Sequence, residues 1–283
     1  VQQRVNQALA AVRTARAVSQ HVAGRRPVTG GGASGVVVSL TTHGRRVRGV
    51  HRTIETIAAG VLRPDRLVLW LDPADHATPT GALRRLVDRG LEVHEAPAEW
   101  GPHKKYLPYC LAHAADGALL VTADDDVLYP RRWLQDLVDA HRADPTTVWA
   151  HRSRMMRLTA DESALAPYQA WSYSRSSGPS FARVPIGMGG VAYPAVLQAR
   201  LAEGGAGVPD LVRRTDDLWL HRHALRGGFP VGQVREVAAD FPVQLGSQDS
   251  ALFRTNLNGG NDHVVSRLYD PTDLELLREH ARG

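Results

Sequence analysis

The chain has 283 residues, 43% of them hydrophobic, with a net charge of +5. That composition excludes a disordered chain, and the length suits one continuous α/β sheet. Only 6% of residues are aromatic and no nucleic-acid motif is present, which argues against a nucleic-acid partner.

The longest apolar runs, around Val36–Val38 and Leu119–Val121, have strand length rather than membrane-span length. The N-terminus lacks the apolar region of a signal peptide, although the chain opens on Val1 rather than Met, so a longer parent protein stays open. Cys110 is the only cysteine, which rules out an internal disulfide and fits a reducing, cytoplasmic setting.

Residues 1–27 read as a basic helix, with Val5, Ala8, Leu9 and Val12 on one side and arginines elsewhere. No Asp or Glu occurs before residue 51, whereas Arg4, Arg13, Arg16, Arg25, Arg26, Arg45, Arg46 and Arg48 all do. Such a stretch is either a solvated basic face or a surface for phosphate-bearing partners. Peripheral contact with the inner face of a membrane, or self-association through this helix, are the partner readings. Residues 28–35, with Gly30, Gly31, Gly32 and Gly35, read as a flexible linker. They precede the first strand, so they are not a phosphate loop, which would follow one. Nor does a nucleotidyltransferase-type glycine-rich loop follow that strand.

An alternation of strands and helices comes next. Strands are expected at 36–40, 66–71, 91–94 and 118–122. Helices are expected at 50–59, 82–88 and 104–114, and one after Pro130 carries Trp133, Leu134, Leu137, Val138 and His141 at helical spacing. This order predicts an α/β fold with a mainly parallel sheet flanked by helices, in which ligands bind beyond the carboxyl ends of the strands. The second half is less regular. One or two strands are expected within 147–158, a loop at 171–183, a glycine-marked strand at 187–194, and a helix at 215–225 with Thr215 as N-cap.

Asp124, Asp125 and Asp126 close the apolar strand that ends at Thr122. Three adjacent carboxylates repel one another unless a cation or donors offset them. Alternate residues of an extended chain share a side, so Asp124 and Asp126 can face one hard cation, Mg2+ or Mn2+. The same residues also suit a solvated turn before the next helix. Asp216 and Asp217, after Thr215, suit a helix dipole as readily as a catalytic role.

The runs Ser39-Leu40-Thr41-Thr42-His43, Leu69-Trp70-Leu71, Lys104-Lys105-Tyr106-Leu107-Pro108 and Thr122-Ala123-Asp124-Asp125-Asp126, with Arg46, Tyr129, Pro130 and Trp133, resemble a bacterial branch of glycosyltransferase family 2. Residues 187–194 and Thr215-Asp216-Asp217-Leu218-Trp219 continue the match in order, over about 36–268. The resemblance implies a single GT-A domain at 36–283, with a nucleotide-binding half at 36–130 and an acceptor-binding half at 131–283. It implies a nucleotide-diphosphate sugar donor, a divalent metal, a hydroxyl-bearing acceptor such as a carbohydrate, and inversion at the anomeric carbon.

By position, Asp126 is the implied metal ligand, assisted by Asp124, and Asp217 is the implied base with Asp216 beside it. Thr41, Arg46, Lys105 and Asp125 fall where the family holds the nucleotide-sugar, as do Gly189 and Gly190, which otherwise mark a bulge. Asp72 ends the second strand, where an acidic residue often meets uracil and points to a UDP-sugar, or else it caps a short helix. Trp171 and Trp219 are candidate acceptor contacts, and Trp171 and Tyr173 equally suit packing under a loop. His43-Gly44 stands where the family usually shows an aromatic residue and a proline. His151, His221, His223 and His263 are possible third metal ligands, and Asn256, Asn258, Asn261 and Asp262 suit a turn. The other readings are a sugar-phosphate nucleotidyltransferase and a non-catalytic sugar-nucleotide-binding protein.

Overall fold

The computed structural model of the protein describes residues 2–32, 34–204, 207–244 and 260–282. Its centre is a seven-stranded sheet of β1 (Val36–Thr42), β2 (Arg66–Leu71), β3 (Leu91–Glu95), β4 (Leu119–Ala123), β5 (Val148–Ala150), β9 (Val191–Tyr193) and β10 (Val231–Gln233). The strand order is β10-β5-β9-β4-β1-β2-β3. All pairs are parallel except those made by β9, which runs antiparallel between β4 and β5. A small antiparallel sheet joins β6 (Ser153–Met155) to β7 (Ser172–Tyr173) and β8 (Arg183–Pro185).

Helices cover both faces, so the parallel strands read as continuous apolar runs. Along β1, Val36, Val38 and Leu40 face one core, shared with Val50, Ile54 and Ile57 of α2 (Val50–Ala58), Leu83 and Leu86 of α4 (Gly81–Val87), and Trp133, Leu134 and Leu137 of α6 (Trp133–Ala143). Val37 faces the other, with Cys110 of α5 (Leu107–His113), Leu197 and Leu201 of α7 (Ala195–Glu203), and Leu220 and Ala224 of α8 (Asp216–Gly227). This is the expected mainly parallel α/β architecture. Two terminal helices, α9 (Asn261–Leu268) and α10 (Pro271–Arg282), close a third cluster around Trp171 and Leu218. Among the described residues no helix is long and apolar enough to cross a membrane.

Several expectations need correction. The N-terminal helix, α1 (Gln2–Ala23), forms with Val5, Leu9 and Val12 exposed and Ala17 buried. The helix packs against α2. The glycine-rich segment is not a flexible linker over its described residues. Val28 is wholly buried in the core, and its N–H donates to Arg89 O at 2.8 Å. Gly30 N–H donates to Pro64 O at 2.8 Å, and the backbone N–H groups of Ser34 and Gly35 reach the Asp65 carboxylate. The glycines serve geometry there, since Gly31, Gly32 and Gly35 take φ of 89°, 90° and 68°.

The glycine-marked strand is shorter than expected. Gly187–Gly189 form a 3-10 turn, Gly190 follows at φ 86°, and pairing starts only at Val191. Asp72 precedes a short helix, α3 (Pro73–Ala77), at its N-cap position, but its side chain makes no cap bond. Thr215 likewise takes the N-cap position of α8 without a capping bond from its side chain. Asn256, Asn258 and Gly259 of the expected turn lie outside the described residues, and Asn261 and Asp262 instead start α9.

Candidate active site

Parallel pairing sets the ends of β1, β2 and β4 level, with Leu40 opposite Ala123 and Thr42 opposite Leu71. The residues that leave these strands meet at a cavity of about 620 Å3. Thr41 and Arg46 come from the end of β1, Asp72 from the end of β2, and Asp124, Asp125 and Asp126 from the end of β4. Lys104 and Lys105 enter just ahead of α5, while Asp216 and Asp217 enter on the first turn of α8.

The acidic run leaves β4 through a turn at Asp125 and Asp126 rather than as extended strand, and Arg46 meets both of those side chains. Asp125 turns to the loop after β1: Thr42 Oγ1 donates to it, and Arg46 donates through Nε at 3.0 Å and again through Nη2. Thr53 Oγ1 donates to the Asp125 carbonyl at 2.9 Å, as Gln244 Nε2 does at 3.2 Å. Arg46 Nη2 also pairs with Asp126 at 3.0 Å. Burial works against the Arg46 charge, but Asp125 and Asp126 outweigh it and hold its pKa above the ordinary value. Arg46 and Asp125, both assigned from sequence to the nucleotide-sugar, therefore form a clasp between two strand ends at the cavity edge. Thr41 Oγ1 donates to Trp70 O at 2.9 Å.

Asp124 keeps about a third of its side chain exposed and meets Lys105 Nζ at 3.1 Å. Its N–H donates to Tyr129 Oη at 2.9 Å, and that hydroxyl donates to Met188 O at 3.3 Å. Lys105 Nζ also pairs with Asp216 at 2.8 Å, so this buried ammonium ties the end of β4 to the start of α8. Burial disfavours its charge, yet Asp124, Asp216 and Asp217 hold its pKa well above the ordinary lysine value. Surface charge, the common fate of paired lysines at a helix start, does not describe Lys104 or Lys105, because both are buried and Lys104 pairs with Asp72.

Asp217 differs from its neighbour. Its Oδ1 accepts the Gly187 N–H at 3.0 Å. Burial, reinforced by the charges of Asp216 and Asp124, pushes its pKa well above the usual carboxylate range despite Lys105. A Cβ on Gly187 would lie 2.8 Å from Lys105 Nζ, 2.9 Å from Asp217 Oδ1 and 3.8 Å from Asp124 Oδ1, so three charged atoms converge on a position that only glycine leaves open.

The structure does not bring four of the assigned residues to the cavity. Gly189 O accepts from Trp133 Nε1 at 2.8 Å, and a Cβ on Gly190 would fall within 2.5 Å of the same indole, so both glycines serve that packing. Trp171 is buried, with its Nε1 donating to Ala166 O at 2.9 Å, and Trp219 packs edge-on against His223. Residues that carry no signal in the sequence line the cavity instead: Arg152 and Arg154, with guanidiniums 4.4 and 4.6 Å from the Tyr173 ring centre, and Tyr168. The Gly187 N–H is a backbone group with no signature beyond its glycine.

The donor set at the β4 end fits a hard divalent cation. Asp124 and Asp126 present carboxylate oxygens to one cavity, and Lys105 and Arg46 already hold positive charge against them. Among the described residues no group of three or more His, Cys, Asp or Glu converges, so any cation there would take further oxygens from its ligand and from water. Three of the candidate histidines are engaged elsewhere: His151 with Trp133 O, His221 between Phe181 O and Tyr269 Oη, and His223 against Trp219.

No protein-family model and no curated protein sequence matches the chain. Among solved structures, a mannosyltransferase from Pyrobaculum calidifontis in complex with GDP-mannose and Mn2+ matches 99% of this chain and 81% of its own, at a TM-score of 0.55 and 18% identity. The fold is GT-A. A 4-diphosphocytidyl-2C-methyl-D-erythritol synthase from Anaerococcus prevotii matches 79% of this chain and 97% of its own, at a TM-score of 0.47 and 11% identity.

Proposed function

We propose that the protein is an inverting glycosyltransferase that moves a sugar from a nucleotide-diphosphate donor to an acceptor hydroxyl. One observation supports this above others: on a GT-A fold, the Asp124–Asp126 strand end and the Asp216–Asp217 helix start face a single cavity, joined by Lys105. Two acidic groups at separate walls match two separate tasks, neutralising a leaving group and accepting a proton.

Asp126 and Asp124 would hold Mg2+ or Mn2+ on the donor diphosphate, where the cation offsets the charge that develops on the leaving group. Asp217 takes the proton of the acceptor hydroxyl. The freed oxygen attacks the anomeric carbon opposite the diphosphate, and the carbon–oxygen bond to the diphosphate breaks with its electron pair leaving on the nucleotide. The raised pKa of Asp217 suits this role, because a carboxylate nearer neutrality retains the proton better. Gly187 N–H and Lys105 fix the positions of Asp217 and Asp216.

The donor reading is a UDP-sugar, with the Asp72 carboxylate, anchored by Lys104, meeting the uracil N–H. GDP is the first alternative, since the fold relative was solved with GDP-mannose. Calorimetry with UDP, GDP and CDP in Mn2+, followed by measurement of nucleoside diphosphate release from the matching sugar, tests the assignment. Binding without transfer or hydrolysis would favour a binding protein. Pyrophosphate release from nucleoside triphosphate and sugar phosphate would assign nucleotidyl transfer instead.

A further inference from the structure

A second cavity, of about 780 Å3, opens between α1, the chain that follows it and α2, and it shares no lining residue with the candidate active site. Its wall holds seven arginines and one carboxylate. That carboxylate, Glu55, already accepts from Arg89 Nη2 at 3.1 Å, and Arg63 Nη1 donates to Pro27 O at 3.0 Å. Arg13, Arg16, Arg25, Arg26 and Arg131 form no ion pair with a described residue.

The fold uses the backbone of these arginines rather than their side chains. Arg26 O accepts from Arg89 Nε at 2.8 Å, Arg131 O accepts the Val61 N–H at 2.7 Å, and Arg16 O accepts from Ser19 Oγ at 2.8 Å. Helix dipoles do not account for the cluster either. The last turns of α1 and α2 reach the cavity, but a helix C-terminus supplies only about half a negative charge, so the wall keeps a surplus of about five positive charges.

We propose that this cavity is a binding site for a phosphate-bearing anion, separate from the donor site. Guanidinium forks match phosphate oxygens two at a time, and several forks around one volume suit a ligand with several such oxygens. The volume lies within the usual range for small-molecule sites, roughly 300–1,000 Å3. Two sources share this chemistry. A soluble polyphosphate needs the cavity alone. A phospholipid head group would also use the exposed Val5, Leu9 and Val12 on the preceding turns of α1, which would meet the acyl region.

The test uses the full chain in EDTA, so that cation-dependent binding at the donor site does not contribute. Tripolyphosphate binding is measured by calorimetry, and pelleting is measured with vesicles of phosphatidylcholine alone or mixed with phosphatidate. The triple variant Arg16→Ala, Arg26→Ala, Arg131→Ala should lose about tenfold or more in affinity for the responding probe with its melting temperature kept, because three charge-assisted contacts go. Asp126→Ala should bind as the parent does. Arginine-dependent loss with tripolyphosphate identifies a soluble ligand, and loss with mixed vesicles only identifies a head group. If the triple variant fails to melt cooperatively, Arg26→Gln and Arg131→Gln singly should show the same loss in smaller steps. No binding to either probe, binding unchanged in the arginine variants, or binding lost in Asp126→Ala would overturn the proposal.

Discussion

Lys105 is the most informative residue to remove, because two ion pairs depend on one buried atom. Its Nζ lies 2.8 Å from Asp216 and 3.1 Å from Asp124. At an effective dielectric near 20, these separations correspond to gross attractions of about 6 and 5 kcal/mol, most of which offsets the desolvation of the charges. Lys105→Met keeps the side-chain volume and leaves the carboxylates without a counter-charge. Breaking one side of a buried pair costs about 3–5 kcal/mol. The Asp124 arm deserves a discount because about a third of that side chain is exposed and screened. The Asp216 arm, with only 10% of the acid exposed, keeps more of its strength. The expected loss is therefore near the lower bound, about 3 kcal/mol at pH 8.

The pH dependence has a definite sign. Lys105 has a folded pKa above its unfolded value of 10.5, so its contribution is present throughout the acid and neutral range and fades only as strongly alkaline pH passes the folded value. In the variant, the uncompensated carboxylates are relieved by protonation, so the deficit should shrink as pH falls. Urea unfolding of the parent and Lys105→Met at pH 8 and pH 5 reads this directly. Asp216→Asn and the double variant complete a cycle whose coupling should be about 2 kcal/mol. A Lys105→Met protein as stable as the parent at pH 8, or a coupling of zero, would refute the claim that this ammonium joins the two acidic walls.

Asp217→Asn should cut transfer by about 10²–10⁴-fold with nucleotide affinity retained, as steady-state rates and calorimetry would show. Its folded pKa is raised above the unfolded 3.8, so its stability contribution is complete below that value and is lost as pH rises through the folded pKa. Melting curves should therefore show Asp217→Asn more stable than the parent at neutral pH and no different in acid. Gly187→Ala should slow transfer by about 10²-fold, because a Cβ 2.8 Å from Lys105 Nζ and 2.9 Å from Asp217 Oδ1 displaces the groups it meets. Unfolding measurements should show a much smaller change, since its φ is not left-handed and both contacts are side-chain ends. Asp126→Ala should abolish metal-dependent nucleotide binding in calorimetry while keeping the parent's circular dichroism, and parental activity in excess EDTA would count against the cation site.

The first half of the fold was legible because period and length agreed. Strand-length apolar runs alternate with helical spacing, and the chain places β1, β2, β3 and β4 where those runs lie. The second half obscured its plan because β5, β6, β8 and β9 are only three residues each, too short for any period to register. Glycine is ambiguous in sequence. In residues 28–35 its density suggests freedom, whereas positive φ and docked backbone use it for a fixed path. At Gly189 and Gly190 it suggests room for a ligand, whereas the neighbour is the Trp133 indole. In both cases composition names the residue but not what lies opposite it. The acidic runs were legible as chemistry, yet their partners were not, because Lys105 reaches Asp216 only through the packing of α5 and α8 on one face of the sheet.

Under the proposed function, two of the three aspartates at the strand end would serve a cation, and the third has a task of its own. Asp125 is held by Thr42 and Arg46, and that clasp ties the turn after β4 to the end of β1, while Asp124 and Asp126 line the cavity on either side of it in sequence. The cavity wall as a whole carries eight carboxylates against seven lysines and arginines, and most are already paired across it. A divalent cation alone would add charge to a nearly balanced wall and compete with Lys105 and Arg46 for the same oxygens. A diphosphate alone would bring negative charge towards Asp124 and Asp126. Each disturbs the balance by itself, and together they largely cancel. Cation and nucleotide should therefore bind as a coupled pair, each raising the affinity of the other by the same factor. That reciprocity follows from the charge already built into the wall, whatever sugar the nucleotide bears.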